Sequence, residues 1–380
     1  MQEKTFYNMK KRVVITEYQK KVLVLFLHDD KCIKIRAVDS IHDTSDSVFL
    51  GRVDKVLKNI DASFVRCNKT SMYLKGTKYK PETVIPVMLK KETDVNKKDA
   101  ITDEISLSGL FVIVNKCIDG VKFSSRIRDK SKICTDNLNN VIIRQNAVYA
   151  NTESIYNEYK YLSKILDNIY KNKDKRTDNS ILYLGLPELL NILFTEDICN
   201  YDEILTDSDE VFELINDFCN NYKSKNIDVN IQLKKYEDKM VPLSALISLS
   251  SKLERATSRI VHLKSDAYIT IDKTEALTVI DVNSGNTTFK GDRATVIHSI
   301  NIEAAKEVVL QLKLRNISGI IIVDFINEQK SEYNDELIKT IKEELKTDDQ
   351  GAKCYGLTKL GLVEISRKRI SKTLKEQLWT

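Results

Sequence analysis

Two carboxylates set the chemical question. Asp281 interrupts the apolar run of TVIDVNSG (278–285), and Asp324 interrupts that of GIIIVDFI (319–326). An ionised carboxylate loses much of its solvation on burial unless it is paired or ligates a metal. Two of them near the same end of two strands therefore point to a site. Asn283, two residues beyond Asp281, falls on the same strand face and can hydrogen-bond and orient a carboxylate. Two carboxylates with several water positions left open suit Mg²⁺, a hard ion that keeps part of its hydration and favours phosphate oxygens. Zinc is a poor match without His or Cys. A bound ion of this kind activates water and neutralises charge on a phosphodiester under attack, so phosphodiester hydrolysis is the natural reaction class. A single Asp at a strand end serves equally well as a turn or helix cap; the pairing is what points to a metal.

The surrounding pattern is expected to hold the two residues together. AYITIDKTEALTVIDVNSG reads as two strands about a polar turn, and NIEAAKEVVLQLKLR as a helix leading into GIIIVDFI. Residues 332–346 predict another helix with Leu337, Ile338, Ile341 and Leu345 on one face, before KLGLVEISRKR. Strand, helix, strand implies a parallel pair with a crossover. Asp281 and Asp324 then lie at the carboxyl ends of strands about 4.8 Å apart, close enough to hold one cation.

Upstream, KRVVITEYQKKVLVLFLHDDKCIKIRAV predicts an opening sheet with a turn at His28 to Lys31. From about Asp43, the segments SVFLGRVDKVL, ASFVRCN, SMYLKGT, TVIPVMLKKE and LFVIVN predict five closely spaced strands, interrupted by the basic NKKDAIT. Such spacing fits a small β-barrel. VIIRQNAVYANTESIYNEYKYLSKILDNIYKNK reads as strand to about Val148 and then as a helix, with Ile155, Tyr159, Leu162, Ile165, Leu166 and Ile169 on one face. Residues 181–265 mix strands and helices, with LISLSSKLERATSRIVHL as a helix.

A chain of 380 residues has room for two or more domains. Sixty Lys and Arg against fifty-five Asp and Glu give a net charge of +5, which permits an anionic partner without requiring one. The seven cysteines form no C-x-x-C pair, so neither a zinc site nor a disulfide framework is indicated, and buried reduced thiols are expected. No stretch has the length and apolarity of a signal or a membrane span, so a soluble cytoplasmic protein is expected.

The residues themselves go further. TEALTVIDVNSG, NIEAAKEVVLQLKLRNISGIIIVDFI and TKLGLVEISRKR, in that order, closely resemble the catalytic core of the RNase E/G family of bacterial endoribonucleases. Weaker likeness covers the rest: SVFLGRVDKVLKNIDASFV is similar to that family's S1-type OB-fold, DEISLSGLFVIV to its exit, and VIIRQNA to its 5′-end sensor. The resemblance implies a fold of mixed α+β and α/β subdomains. These would be an RNase H-like subdomain from residues 1–42 and 179–263, an S1-type OB-fold at 43–118, a 5′-sensor at 119–178 and a DNase I-like catalytic subdomain at 264–380.

It further implies Mg²⁺-dependent cleavage of single-stranded RNA, in processing or decay, leaving a 5′-phosphate on the downstream product. Mn²⁺ is an alternative ion. The family's metal-binding aspartates and supporting asparagine fall on Asp281, Asp324 and Asn283. Its RNA-holding aromatics fall on Phe64 and Tyr73, and its basic contact near Lys97. Bases stack on such rings with little regard to sequence. Phe64 in ASFV fits the barrel core as well as it fits a binding surface, and Lys97 with Lys98 in NKKD fits plain solvated loop charge.

Three departures stand out. Arg144 is followed by Gln145 where the family's sensor commonly has Arg-Thr, although Arg144 can still grip a 5′-monophosphate through paired N–H donors. DRATVIHS lacks the family's usual acidic residues. The sequence reaches Thr380 without the C-x-x-C zinc link and small domain of long members, so oligomers joined by zinc are not expected. A competing expectation is a catalytically silent RNA-binding scaffold or regulator of the same family. A phosphatase for small substrates is disfavoured by the expected OB-fold.

Overall fold

The computed structural model describes residues 10–379 other than 45, 68–69, 91–99, 287–291 and 329. The chain is a mixed α/β protein whose described residues form four sheets. It divides into two units, Met1–Leu23 with Val38–Glu237 and Val24–Ala37 with Asp238–Thr380.

The first unit contains a five-stranded barrel. Val48–Leu57, Ala62–Cys67 and Thr70–Lys75 follow one another, Ala100–Thr102 pairs with the third, and Val84–Lys90 returns to the first, so the sheet closes on itself. Closure removes the unpaired edges that strands this short would otherwise expose. Alternate residues point inward, and Val53, Val65, Leu74, Ile85, Val87 and Ile101 fill the interior. Gly51 is required for this wall: a Cβ there would stand 2.5 Å from Val65 Cγ1 and 2.7 Å from Cys67 Sγ.

The expected barrel is therefore present, an architecture consistent with an S1/OB-like insert, but with one strand exchanged. The fifth strand is Ala100–Thr102, inside the segment read as an interruption. Val112–Asn115 of LFVIVN instead pairs with Ser106–Ser108 and Val141–Ile143 in a separate sheet of four strands. Three residues are too few to display an alternation, and an apolar run does not specify which sheet receives it.

Elsewhere in this unit, Lys11–Tyr18 pairs in parallel with Glu203–Thr206, which pairs in parallel with Leu233–Lys235. The start of the chain is thus tied to a segment far along it. The helix Thr152–Asn172 begins where Asn151 accepts the Ser154 N–H at 2.7 Å. It buries Ile155, Leu162, Leu166 and Ile169 as the periodicity predicts, together with Glu158.

The second unit is built on a six-stranded sheet in the order Ile260–His262, Tyr268–Lys273, Leu277–Asn283, Gly319–Asp324, Val363–Arg367, Lys353–Leu357. Only the central pair, Leu277–Asn283 with Gly319–Asp324, is parallel. The crossover helix joining them is Arg293–Leu314, and Ser331–Leu345 packs beside it. Ile280, Val282, Ala304, Val308, Ile321 and Val323 belong to the core they share. The helix expected over LISLSSKLERATSRIVHL stops at Thr257, where Ser258 is extended, and Ile260–His262 joins the sheet. Pairing with Tyr268–Thr270 outweighs the helical spacing there.

Gly51→Ala is expected to lower stability by about 1–3 kcal/mol through overpacking of the barrel wall, read as a lower urea midpoint with unchanged slope. An unchanged midpoint would contradict the tight packing described.

Candidate active site

The register of the central strands places the carboxylates. Asp281 stands directly opposite Asp324 in the parallel ladder. Ile280 and Val282 are buried in the core, as are Val323 and Phe325, so alternation turns both aspartates and Asn283 to the opposite face. Asn283 Nδ2 donates to Asp281 Oδ2 at 2.6 Å, fixing one carboxylate oxygen. Asp281 and Asn283 are half-buried and Asp324 is exposed. Among the described residues the Asp324 carboxylate makes no hydrogen bond or ion pair. Gly285 then turns the chain at φ 57°, where a Cβ would lie 2.4 Å from the Asp266 carbonyl oxygen; only glycine fits.

This donor set suits a hard divalent ion. It offers carboxylate oxygens on adjacent strands, one of them oriented by an amide, with no protein cation neutralising them among the described residues. No group of three or more His, Cys, Asp or Glu side chains suited to a metal occurs among the described residues. An ion here would keep several waters, as Mg²⁺ does.

In the first unit, Arg144 is buried, and burial lowers its pKa to about 10, with Glu158 pulling the other way. Its Nη2 donates to Thr195 Oγ1 at 3.2 Å, and Arg126 Nη1 donates to the Thr195 carbonyl oxygen at 3.0 Å. Two guanidinium groups thus converge on one residue, an arrangement fit for an anion. Gln145 Oε1 is buried without a hydrogen-bond partner among the described residues. Neither Arg126 nor Thr195 stood out in the sequence, because they are separated from Arg144 by 18 and 51 residues and carry no local motif.

Glu158 was equally hidden. Its carboxylate accepts the N–H groups of Leu110, Phe111 and Val112 at 2.7–2.8 Å. Burial pushes its pKa up, while the Tyr222 hydroxyl and these N–H groups oppose that shift. A Cβ on Gly109 would stand 2.5 Å from the Glu158 carboxyl carbon, so the glycine makes room for it.

On the barrel, Phe64 and Tyr73 are cross-strand partners with ring centroids 6.3 Å apart in an edge-to-face arrangement. Ser63 and Val65 point inward, so Phe64 lies on the outer face, half-buried, beside an exposed Tyr73. Of its two readings, the barrel core does not apply. Lys97 lies outside the described residues.

An α/β protein with a closed barrel and a paired-carboxylate site on a parallel strand pair is the class this architecture defines. Residues 106–370 match the Ribonuclease E/G family, and the chain belongs to that family. It is 26% identical over 398 aligned positions to Ribonuclease E of Nostoc sp., covering 97% of this chain and 57% of that protein. It is 29% identical over 306 positions to Ribonuclease G of Haemophilus influenzae, covering 77% of this chain and 61% of that protein. Ribonuclease G of Escherichia coli is 26% identical over 369 positions, with 87% and 74% covered. The chain thus spans little more than half the length of the first of these relatives.

Glu158→Ala is expected to cost about 3 kcal/mol or more, since it strands three buried backbone donors together with the Tyr222 hydroxyl. Hydrogen exchange at Leu110, Phe111 and Val112 should accelerate; unchanged protection would contradict the role given to the carboxylate.

Proposed function

We propose that this protein is a divalent-metal-dependent endoribonuclease that cleaves single-stranded RNA in processing or decay. The observation that carries this reading is the direct opposition of Asp281 and Asp324 in the parallel ladder, with Asn283 bonded to Asp281 on the same face. Family membership supports RNA as the substrate class. No helix among the described residues is long and apolar enough to cross a membrane, and we place the activity in the cytoplasm.

Asp281 and Asp324 would hold Mg²⁺, or Mn²⁺ in its place. When bound, such an ion supplies acidified water and neutralises charge on the phosphodiester. Asn283 keeps the Asp281 carboxylate turned toward the site. In the reaction, water oxygen bonds to phosphorus and the P–O3′ bond breaks, leaving a 3′-hydroxyl upstream and a 5′-phosphate downstream. Phe64 and Tyr73 offer ring faces on which bases of a single strand stack, at about 1–3 kcal/mol each. Arg144, with Arg126 beside it, is suited to a terminal 5′-phosphate, which a guanidinium pair binds through several N–H donors.

Asp281→Asn and Asp324→Asn are each expected to lower the cleavage rate of a fluorescent single-stranded RNA by more than about 100-fold. RNA binding should be largely spared, and EDTA should reproduce the loss. Cleavage at the wild-type rate in both variants would refute the assignment, and absence of metal-dependent cleavage in the wild type would favour the scaffold. For the 5′ end, Arg144→Ala is expected to abolish any preference for 5′-monophosphate over 5′-hydroxyl RNA. A preference that persists in this variant would remove Arg144 from that role.

A further inference from the structure

Beyond Asp324 the chain leaves the sheet. The ladder with Val363–Arg367 ends at Val323, so among the described residues Asp324 is paired only toward Asp281. What holds the departing backbone is Asn301 of the crossover helix, a wholly buried amide. Its Nδ2 donates to the Ile326 carbonyl oxygen at 2.7 Å, and its Oδ1 accepts the Ile326 N–H at 3.1 Å. Both backbone groups of the residue two places after Asp324 are therefore taken by one side chain.

The same Nδ2 lies 2.7 Å from Glu328 Oε1. The Glu328 side chain is 1% exposed, and both its oxygens face His298 Nδ1, at 3.2 and 3.3 Å. The other ring nitrogen, Nε2, faces Glu336 Oε2 at 3.2 Å, and the imidazole stacks on Tyr333 with centroids 4.1 Å apart. A continuous line of polar contacts thus runs from Glu336, on the Ser331–Leu345 helix, through His298, Glu328 and Asn301 to Ile326, with Tyr333 of the same helix stacked on the imidazole. The two nitrogens of His298 address different carboxylates, and no three-ligand metal group is found among the described residues.

We propose that His298 is a positioning residue for Asp324, acting through Glu328 and Asn301 to set the affinity of the aspartate pair for its divalent cation. The inference rests on the metal-site reading above. A buried carboxylate is tolerated only with enough hydrogen-bond donors or a cation beside it. Among the described residues, Glu328 has two such partners, Asn301 and His298. Without the imidazole, its carboxylate is drawn toward water, and the 325–328 segment moves with it. The Asn301 clamp on Ile326 loosens, and Asp324 loses its fixed place opposite Asp281. Oxygen ligands held loosely bind a metal less tightly, as happens when the partners of ligating side chains are removed.

The test is Mn²⁺ binding to the full chain, followed by electron paramagnetic resonance of the free ion. His298→Phe keeps a ring to stack on Tyr333 but has no nitrogen, and is expected to raise the Mn²⁺ dissociation constant about 10-fold. Adding Glu328→Gln to that variant removes the buried charge while leaving an acceptor for Asn301. The double variant is expected to return to within about 3-fold of wild type. A merely structural loss at residue 298 would not be rescued this way. If His298→Phe fails to fold, His298→Gln, which keeps a donor for Glu328, is expected to bind Mn²⁺ like wild type, and tenfold weakening there would overturn the proposal. Asp281→Asn separates the two ideas. Loss of Mn²⁺ binding in Asp281→Asn with wild-type affinity in His298→Phe would overturn the positioning role alone; unchanged binding in Asp281→Asn would remove the metal site and this proposal together.

Discussion

The site depends on the register of one pair of parallel strands. Asp281 meets Asp324 because Leu277–Asn283 and Gly319–Asp324 are aligned residue for residue, from Leu277 opposite Ile320 to Asp281 opposite Asp324. A slip of one residue would turn Asp281 into the core and bring Ile280 or Val282 onto the open face. The crossover helix resists that slip through the core it shares with both strands, to which Ala304, Ala305 and Val308 belong together with Ile280, Ile321 and Val323. Apolar packing on one side of the sheet is therefore what aligns carboxylates on the other.

Buried and open charges in this protein are treated differently. Arg367 is fully buried and spends its guanidinium on Asp348 at 2.8 Å and the Ile317 carbonyl oxygen at 2.9 Å. Glu158 is enclosed by backbone N–H groups, and Glu328 by an amide and an imidazole. Each of these charges is consumed by the fold. Asp281 and Asp324 differ in facing outward with no protein cation beside them among the described residues, which leaves their field available to something the chain does not supply.

Asp281, Asn283 and Asp324 were legible in the sequence because each sits in or beside an apolar run long enough to announce a strand, and because the helix between the two strands dictates parallel pairing. The Thr152–Asn172 helix was legible for the same reason, through its repeating apolar face. Ala100–Thr102 was not, since its place in the barrel is decided by partners on Thr70–Lys75 and Val84–Lys90 rather than by its own three residues. Pairings across the chain were equally silent: Gly109 with Glu158, Arg126 and Arg144 with Thr195, His298 with Glu328. Polar residues of these types usually lie in water, and nothing local distinguishes one that a distant segment will enclose. Phe64 could be assigned to the outer face only once Ser63 and Val65 were seen pointing inward.

Asp281 and Asp324 are proposed to share one divalent cation. Anomalous diffraction from crystals soaked in Mn²⁺ tests it most directly. A single peak is expected within coordinating distance of carboxylate oxygens from both residues, on the face that carries Asn283. A peak bound elsewhere, or carboxylates turned apart with no ion between them at saturating Mn²⁺, would contradict it.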